Sequence, residues 1–374
     1  MGQSGELEKE AESFKRFDVV SDDSDHYYAS LPKPKKKGPT GTTTTTAAVA
    51  GEFAGDGLID GGSGVHKKIM QEWRILEKNL PETIYVRVYE NRIDLLRAVI
   101  VGAAGTPYHD GLYFFDLAFP SDYPARPPMV QYRSHGMRLN PNLYANGRVC
   151  LSLLNTWSGK KAEKWNPDES TVLQVLVSIQ ALVLNEKPFF NEPGAGIFGH
   201  ARWEKNSQAY NEDVFVLSCK TTLFSLRNPP KNFEPFVAAH FRSRANAIIA
   251  ACWAYATGRV TVGYYYRDDG DGDGDDDSAA SCSSSKVDVS RRFKGSMEAL
   301  YPQLVAALKK NGASLGSFVE QLKLEKETTS FEAKTAEGNK GGNVIAKKVI
   351  GRIKSILGLK KKNGTTGTVA AVSN

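Results

Sequence analysis

Apolar residues are distributed unevenly along this chain, and that restricts where a core can form. Residues 1–64 carry charged and then Thr- and Gly-rich tracts without a sustained apolar period, residues 268–285 are mostly Asp, Gly and Ser, and residues after 327 are rich in Lys, Gly and Thr. Such tracts cannot bury enough apolar area to offset the entropy that is lost on folding. The sequence therefore predicts one main folded domain that begins at Val65 and carries appendages.

Composition changes along the chain also predict the boundaries of these parts. Length alone would allow about two domains, but the low-complexity tracts shorten the foldable part. The predicted segments are a disordered N-terminal arm (1–64), the main domain (65–228), a helical extension (229–258), an acidic Gly/Ser linker (259–290), a C-terminal helical segment (291–326) and a basic flexible tail (327–374).

The main domain combines one helical pattern with several strand patterns. Apolar residues recur every three or four positions from Val65 to Leu80, which predicts an amphipathic helix that ends at Pro81. Thr171 with Gln174 predicts a capping box at the start of a strongly apolar helix. Between the two helices lie four β-rich runs bounded by turn residues, near Ile84–Tyr89, Leu95–Val101, Tyr113–Phe119 and Met129–Arg133. The fold class is α+β: an N-terminal helix, a four-stranded antiparallel meander and C-terminal helices.

Charge, hydropathy and cysteine spacing exclude several classes of protein. The net charge of +6, from 48 basic and 42 acidic residues, does not by itself demand nucleic acid. No run of about 20 apolar residues predicts a membrane span. Four cysteines lie far apart without a CxxC pair, so neither a disulfide framework nor a metal site is expected. The chain is expected in a reducing compartment, the cytoplasm or the nucleus.

A long loop from Arg138 to Leu154 lies between the strands and the capped helix, and it contains Cys150 after the turn residues Asn146 and Gly147. Loops held by a rigid scaffold are where catalytic groups concentrate. On residue type alone, however, Cys150 reads as a buried packing residue, because free cysteine behaves as a small hydrophobe and no histidine stands nearby in the sequence.

A family resemblance changes the interpretation of Cys150. The loop resembles the active-site segment of ubiquitin-conjugating enzymes, in which a Pro-Asn pair precedes the catalytic cysteine; here Asn142 stands eight residues before Cys150. Further landmarks of the family occur in the same order and cover roughly residues 65–228. These landmarks are the amphipathic first helix, the proline-rich segment 119–128 and the triplet Trp165-Asn166-Pro167. The segment 185–194 resembles the large hybrid conjugating/ligase subclass, including its plant branch.

The resemblance implies a transferase in which Cys150 takes ubiquitin as a thioester and passes it to a substrate lysine. It implies that Asn142 stabilises the oxyanion of the tetrahedral intermediate or supports the loop. It implies that Glu192 orients the attacking lysine or accepts its proton, with Asn191 as a rival for that position and a loop cap as the alternative for Glu192. No cofactor or metal is expected for the chemistry on this chain, because the activating enzyme consumes the ATP.

The expected partners are ubiquitin, ubiquitin-activating enzyme, proteins that bear the acceptor lysine and, for some reactions, a ligase. By resemblance, the first helix docks the activating enzyme through Lys67, Lys68 and Arg74. The proline-rich loop and the segment after Trp165 supply the remaining partner-binding residues, namely Pro127, Pro128, Asn166 and Pro167.

This chain departs from the family pattern at four places. Asn140 replaces the usual histidine before Pro141, and Ser152 replaces an acidic residue that many members carry two places after the cysteine. Residues 155–164 lengthen the following loop. Ala125 stands where ligase-dependent members commonly present a bulky aromatic anchor, so reduced dependence on a separate ligase is expected.

Two alternatives remain open at this point. One alternative is a non-catalytic ubiquitin-binding module with a conjugating-like fold. Ser152 and Asn140 are compatible with it, because both depart from the family's active-site pattern. Binding of nucleic acid or a membrane surface through the basic segments 33–37 or 347–362 is disfavoured as the main function. The Asp-rich tract from Asp269 lacks the acidic twelfth residue of a calcium loop, because that position is Ala280.

Overall fold

The structure is a computed structural model, and it describes residues 14–31, 64–195, 200–263 and 287–316 together with Val319. The basic segments 33–37 and 347–362 and the Asp-rich tract lie outside the described residues. The chain divides into two units, Met1–Leu315 and Gly316–Asn374, and every helix and strand given below lies in the first unit.

A five-stranded sheet forms the centre of the domain. Its strands are β1 (Phe17–Val20), β2 (Ile84–Tyr89), β3 (Arg92–Val101), β4 (Leu112–Ala118) and β5 (Met129–Tyr132), and they lie side by side in that order. Strands β2 to β5 form the predicted antiparallel meander, and β1 pairs in parallel with β2. The α+β class is confirmed, with one strand more than the sequence predicted.

Helices surround the sheet. The structure has α1 (Gly64–Asn79), α2 (Val172–Ser178), α3 (His200–Arg227), α4 (Glu234–Ser243), α5 (Ala245–Ala256) and α6 (Arg291–Lys310). Thr171 and Gln174 form the predicted capping box at α2, since Thr171 Oγ1 accepts from Gln174 N and Gln174 Oε1 accepts from Thr171 N. A π-helical turn, Ile179–Val183, follows α2 directly.

The main core lies between the helical layer and one face of the sheet. Ile69 and Leu76 of α1, Val86 of β2, Phe115 of β4 and Leu176 of α2 are all fully buried members of this core. The alternation of side chains along a strand sends Val86 to this face and Arg87 to the other. Fully burying such apolar side chains contributes about 1.5–3 kcal/mol each.

Residues 14–31 cover part of the opposite face of the sheet, and we call them the N-terminal strap. The prediction that the whole segment 1–64 is disordered is wrong for these residues. Strand β1 extends the sheet, Asp25 contacts the buried Arg97 of β3, and His26 Nε2 lies 3.8 Å from the buried Asp116 of β4. The Arg97 guanidinium donates to Asp116 at 2.6 Å and to Asp25 at 2.6 Å. Charge-rich composition concealed this contact, because the partners of these charges lie some seventy residues or more along the chain.

Candidate active site

Cys150 lies near the end of the long loop, two residues before a short 3₁₀ turn, Ser152–Leu154. Only 2% of the surface of Cys150 is exposed to solvent. The loop approaches the sheet through Gly147, whose φ is +86° and where a Cβ would collide with the Gln131 side chain, so glycine is required there. The Gln131 amide in turn donates to Asn146 O at 2.6 Å. The Asn146-Gly147 turn is therefore what fixes this end of the loop against β5.

Asn142 holds the main chain of Cys150 through both its own main chain and its side chain. Cys150 N donates to Asn142 O at 2.9 Å, and Asn142 Nδ2 donates to Cys150 O at 2.9 Å. Asn142 is 8% exposed, and its Oδ1 atom is buried without a hydrogen-bond partner among the described residues. The loop-support role of Asn142 thus has an observed contact, while the oxyanion role stays a prediction.

Thr156 holds the residues on either side of Cys150. Its hydroxyl donates to Val149 O at 2.7 Å and accepts from Leu151 N at 3.0 Å. Together with Asn142, this hydroxyl pairs every main-chain polar group from Val149 O to Leu151 N. Sequence reasoning missed Thr156, although a threonine a few residues beyond a candidate nucleophile is a residue type that commonly bonds to nearby main chain.

Asn140 connects the loop to the helical layer. It is fully buried, and its Oδ1 accepts from Asn142 N at 2.7 Å. Its Nδ2 donates to Tyr108 Oη at 2.8 Å and to Val183 O at 2.7 Å. Val183 ends the π-helical turn, where main-chain carbonyls lack helical partners. An asparagine therefore holds the Pro-Asn pair in place at the position where the family usually has histidine.

Asn191, the rival of Glu192, belongs to this same structural network. Its Nδ2 donates to Val183 O at 3.2 Å, and its Oδ1 accepts from Asn185 Nδ2 at 2.8 Å. Glu192 is instead exposed, and its carboxylate contacts Arg138 Nη2 at 3.3 Å. Glu192 and Arg138 line a cleft of about 340 Å³ together with residues of α3 and α6. The role of Glu192 toward a lysine stays a prediction.

The lengthened loop, 155–164, folds back onto Ser152. Ser152 Oγ donates to Ser158 O at 3.4 Å. Glu163 Oε2 accepts from Lys160 N at 3.2 Å. Ser152 and Glu163 both line a second cleft of about 440 Å³, which runs between this loop and α2. The loop therefore brings a carboxylate back to the segment that follows the cysteine.

The predicted partner-binding residues fall on two surfaces. On α1, Lys67 and Arg74 are exposed and Lys68 is half-buried. Elsewhere the indole Nε1 of Trp165 donates to Pro124 O at 2.7 Å, which brings the proline-rich loop beside the 166–167 segment. In this second surface Asn166 and Pro167 are exposed, Pro127 is half-buried and Pro128 is buried. Pro128 thus offers little surface to a partner.

The described residues contain neither a metal-ligand cluster nor a membrane-spanning helix. In that part of the chain, no group of three or more His, Cys, Asp or Glu side chains is arranged to hold a metal ion. None of the helices within the described ranges is long and apolar enough to cross a membrane.

Comparison with known proteins agrees with this geometry. Residues 68–216 match the model of the family described as ubiquitin-conjugating enzyme. The chain is 55% identical over 252 residues to the probable ubiquitin-conjugating enzyme E2 25 of Arabidopsis thaliana, which covers 67% of this chain and 37% of that protein. It is 52% identical over 247 residues to the putative ubiquitin-conjugating enzyme E2 38 of the same plant, covering 66% of this chain and 69% of that protein.

A human relative combines two activities in its name. The chain is 40% identical over 195 residues to the dual E2 ubiquitin-conjugating enzyme/E3 ubiquitin-protein ligase BIRC6 of Homo sapiens, covering 50% of this chain and 4% of that protein. The chain thus spans well under half the length of several relatives and about 70% of the length of two others. With a relative matched at 52% identity over most of its length, a matching family model and a braced cysteine in the corresponding loop, the chain belongs to the ubiquitin-conjugating enzyme family.

Proposed function

We propose that this protein accepts ubiquitin as a thioester on Cys150 and transfers it to a lysine of a protein substrate. The observation that carries this proposal is the bracing of Cys150 by Asn142, whose main-chain and side-chain groups both bond to it. A nucleophile held in one geometry avoids part of the entropy cost of reaching the transition state. The names of relatives at 52–55% identity support the same activity.

The reaction consists of two acyl transfers. In the first, the Cys150 thiolate attacks the ubiquitin carbonyl that is bound to the activating enzyme; a new C–S bond forms, and the activating enzyme's thiolate leaves. In the second, a neutral lysine amine attacks the same carbonyl carbon; a C–N bond forms, the Cys150 thiolate leaves, and the amine loses a proton. ATP enters only through the activating enzyme, so this chain needs no bound cofactor for either step.

Exposed charge on α1 supports docking of the activating enzyme there. Lys67 and Arg74 are free to meet an acidic partner surface, and electrostatic complementarity of this kind accelerates association. A free thiol nucleophile also suits a reducing compartment, which supports the cytoplasm or the nucleus as the place of action.

Reduced dependence on a separate ligase is the finer part of the proposal. Ala125 is exposed beside the 166–167 segment, and its small side chain cannot serve as a buried aromatic anchor for a ligase. The dual name of the human relative, BIRC6, supports the same reading. A ligase that strongly accelerates transfer by this protein would contradict it.

The test is a charging assay with ubiquitin-activating enzyme, ubiquitin and ATP, without ligase, read on reducing and non-reducing gels. The wild type should form an adduct that thiol reductant removes, and Cys150→Ala should form none. Cys252→Ala is the matched control, because it removes a buried thiol distant in sequence from the loop and should charge normally. No adduct under conditions where another conjugating enzyme charges would favour the non-catalytic ubiquitin-binding module.

A further inference from the structure

The lengthened loop places the side chains of Ser152 and Glu163 close to Gly159, where a residue with a Cβ atom would not fit. A Cβ at Gly159 would lie 2.6 Å from Ser152 Oγ and 2.7 Å from Glu163 Oε2. Real Cβ atoms essentially never approach that closely, so Ser152 and Glu163 flank one position. The acid that this chain lacks at position 152 is therefore matched in space by a carboxylate from the loop.

Contacts on both sides of Glu163 in the sequence hold it in this place. Its Oε2 atom accepts from Lys160 N at 3.2 Å across the 3₁₀ turn Lys161–Glu163. Two residues later, Trp165 is buried and its Nε1 donates to Pro124 O at 2.7 Å. Because both flanks are bonded, the carboxylate is positioned before any substrate arrives, which is what a group acting in a transition state requires.

The cleft beside Glu163 leads to the residues that follow the nucleophile. Leu151 and Ser152, one and two places after Cys150, line it together with Glu163 and Lys164. The cleft has a volume of about 440 Å³, and Glu163 is exposed on its wall. A lysine side chain that entered this cleft would bring its ammonium group to the carboxylate.

We propose that Glu163 orients the incoming lysine and accepts its proton during transfer from Cys150, a role that rests on the proposed function. A lysine amine is protonated at neutral pH and cannot attack until it loses a proton. The ammonium group first passes one proton to the Glu163 carboxylate and from there to water, and the neutral amine then attacks the thioester carbonyl. As the C–N bond forms, the C–S bond breaks, Cys150 leaves as thiolate, and the second proton on the nitrogen is lost to water. Glu192, whose carboxylate contacts Arg138, is the rival for this role.

The experiment isolates the second transfer. Protein charged with ubiquitin is freed of activating enzyme, and the thioester's decay is timed with free lysine and, separately, with hydroxylamine, which is already neutral at pH 7. Glu163→Gln should charge normally and react normally with hydroxylamine, but its discharge to lysine should fall by at least about tenfold. The deficit should shrink as pH rises toward the pKa of free lysine, about 10.4, because the amine then deprotonates without help.

Two variants sharpen the result. Glu90→Gln alters an exposed acid in the turn between β2 and β3 that does not line this cleft, and it should discharge to lysine as the wild type does. Ser152→Asp combined with Glu163→Gln should recover part of the lost rate, since it restores an acid at the same spot.

The proposal is overturned if Glu163→Gln discharges to lysine at the wild-type rate, or if its discharge to lysine and its discharge to hydroxylamine slow by the same factor. It is also overturned if the selective loss of discharge to lysine appears in Glu192→Gln instead. These outcomes leave the thioester on Cys150 intact. By contrast, a wild type that never charges would overturn the proposed function and the role of Glu163 together.

Discussion

The loop around Cys150 and the N-terminal strap are both held by buried polar contacts, but the two sets differ in chemistry. Around Cys150 every contact is between uncharged groups: amides, a hydroxyl and main chain. Across the sheet, the strap is held by charges, with Arg97 between Asp25 and Asp116. Arg97 and Asp116 are no more than 1% exposed, so this is a buried ionic network.

The difference predicts what each region is sensitive to. Removing one partner from a buried ionic network leaves an uncompensated charge and is strongly destabilising. Removing one neutral hydrogen bond costs about 1 kcal/mol of stability, yet beside Cys150, the proposed nucleophile, it displaces the reacting group. Changes in the strap should therefore appear mainly in stability, and changes near Cys150 mainly in rate.

The largest effect is expected at Arg97. Arg97→Met should lower the free energy of unfolding by about 3–5 kcal/mol, because Asp116 then keeps a buried charge without its guanidinium partner. Chemical denaturation measures this loss. Arg92→Met is the matched control on the same strand: its ion pair with Asp94, at 2.8 Å, is partly exposed, and its loss should cost about 0–1 kcal/mol. Equal losses in the two variants would remove the distinction.

Asn142→Ala tests the neutral side of the comparison. Discharge to lysine should fall about 100-fold, equivalent to about 3 kcal/mol of barrier, because the amide no longer holds Cys150 O and no longer supplies the oxyanion contact that the family resemblance predicts. Stability should fall by only about 1 kcal/mol. Single-turnover discharge and denaturation, run on the same preparation, separate the two quantities. Asn146→Ala, in the same loop, keeps the main-chain carbonyl that Gln131 binds and should change the rate far less. A similar loss there would mean that general loop disruption explains the effect.

How far the sequence predicted this molecule depends on the range of the contacts. Periodicity gave the bounds of α1 and β2 closely, and a three-residue spacing gave the Thr171 cap, because these signals are local. The landmark order around Cys150 gave the family. The strap was missed because Asp25 finds Arg97 across a sequence separation of 72 residues, which no local pattern records.

The supporting residues of the site were missed for a related reason. Asn140 was noted as a departure, but its bond to Val183 O depends on where the π-helical turn ends. Glu163 lies in a loop whose sequence predicts an exposed, charged segment, and only the return of this loop onto Ser152 makes Glu163 a candidate for the role proposed above. Sequence therefore singled out Cys150 and Asn142, which the structure shows in contact, while the surrounding contacts required the fold.

Thr156 gives a smaller and more specific prediction for the loop. Thr156→Val keeps the shape but removes the hydroxyl, so Val149 O and Leu151 N lose their partner. Charging and lysine discharge should both fall about tenfold, equivalent to about 1.4 kcal/mol. Thr156→Ser retains the hydroxyl and should restore most of the rate. Single-turnover rates together with thermal unfolding test this; equal rates for the Val and Ser variants would mean that the hydroxyl does not position Cys150.

The smallest effect concerns pH and the strap. Burial lowers the pKa of His26, although Asp116, 3.8 Å from Nε2, opposes the shift. The unfolded chain, with an ordinary histidine pKa of about 6.5, therefore binds a proton more readily than the folded protein. The contribution of His26 to the free energy of unfolding is therefore fully present above about pH 6.5. It is lost as pH drops below that value, by up to about 1.4 kcal/mol per pH unit.

His26→Gln keeps a polar group near Leu96 O but cannot titrate in this range. The fall in unfolding temperature between about pH 7.5 and pH 5.5 should therefore be smaller in His26→Gln than in the wild type. Burial also lowers the pKa of His135 and of His240, and because both remain in each protein their contributions cancel in the difference. If the unfolding temperatures of the two proteins fall equally between these pH values, protonation of His26 does not affect the stability of the strap. The strap is then held by the ion pairs of Arg97 with its two aspartates. Lysine discharge by the folded protein should show no matching difference, since the contacts described around Cys150 are uncharged.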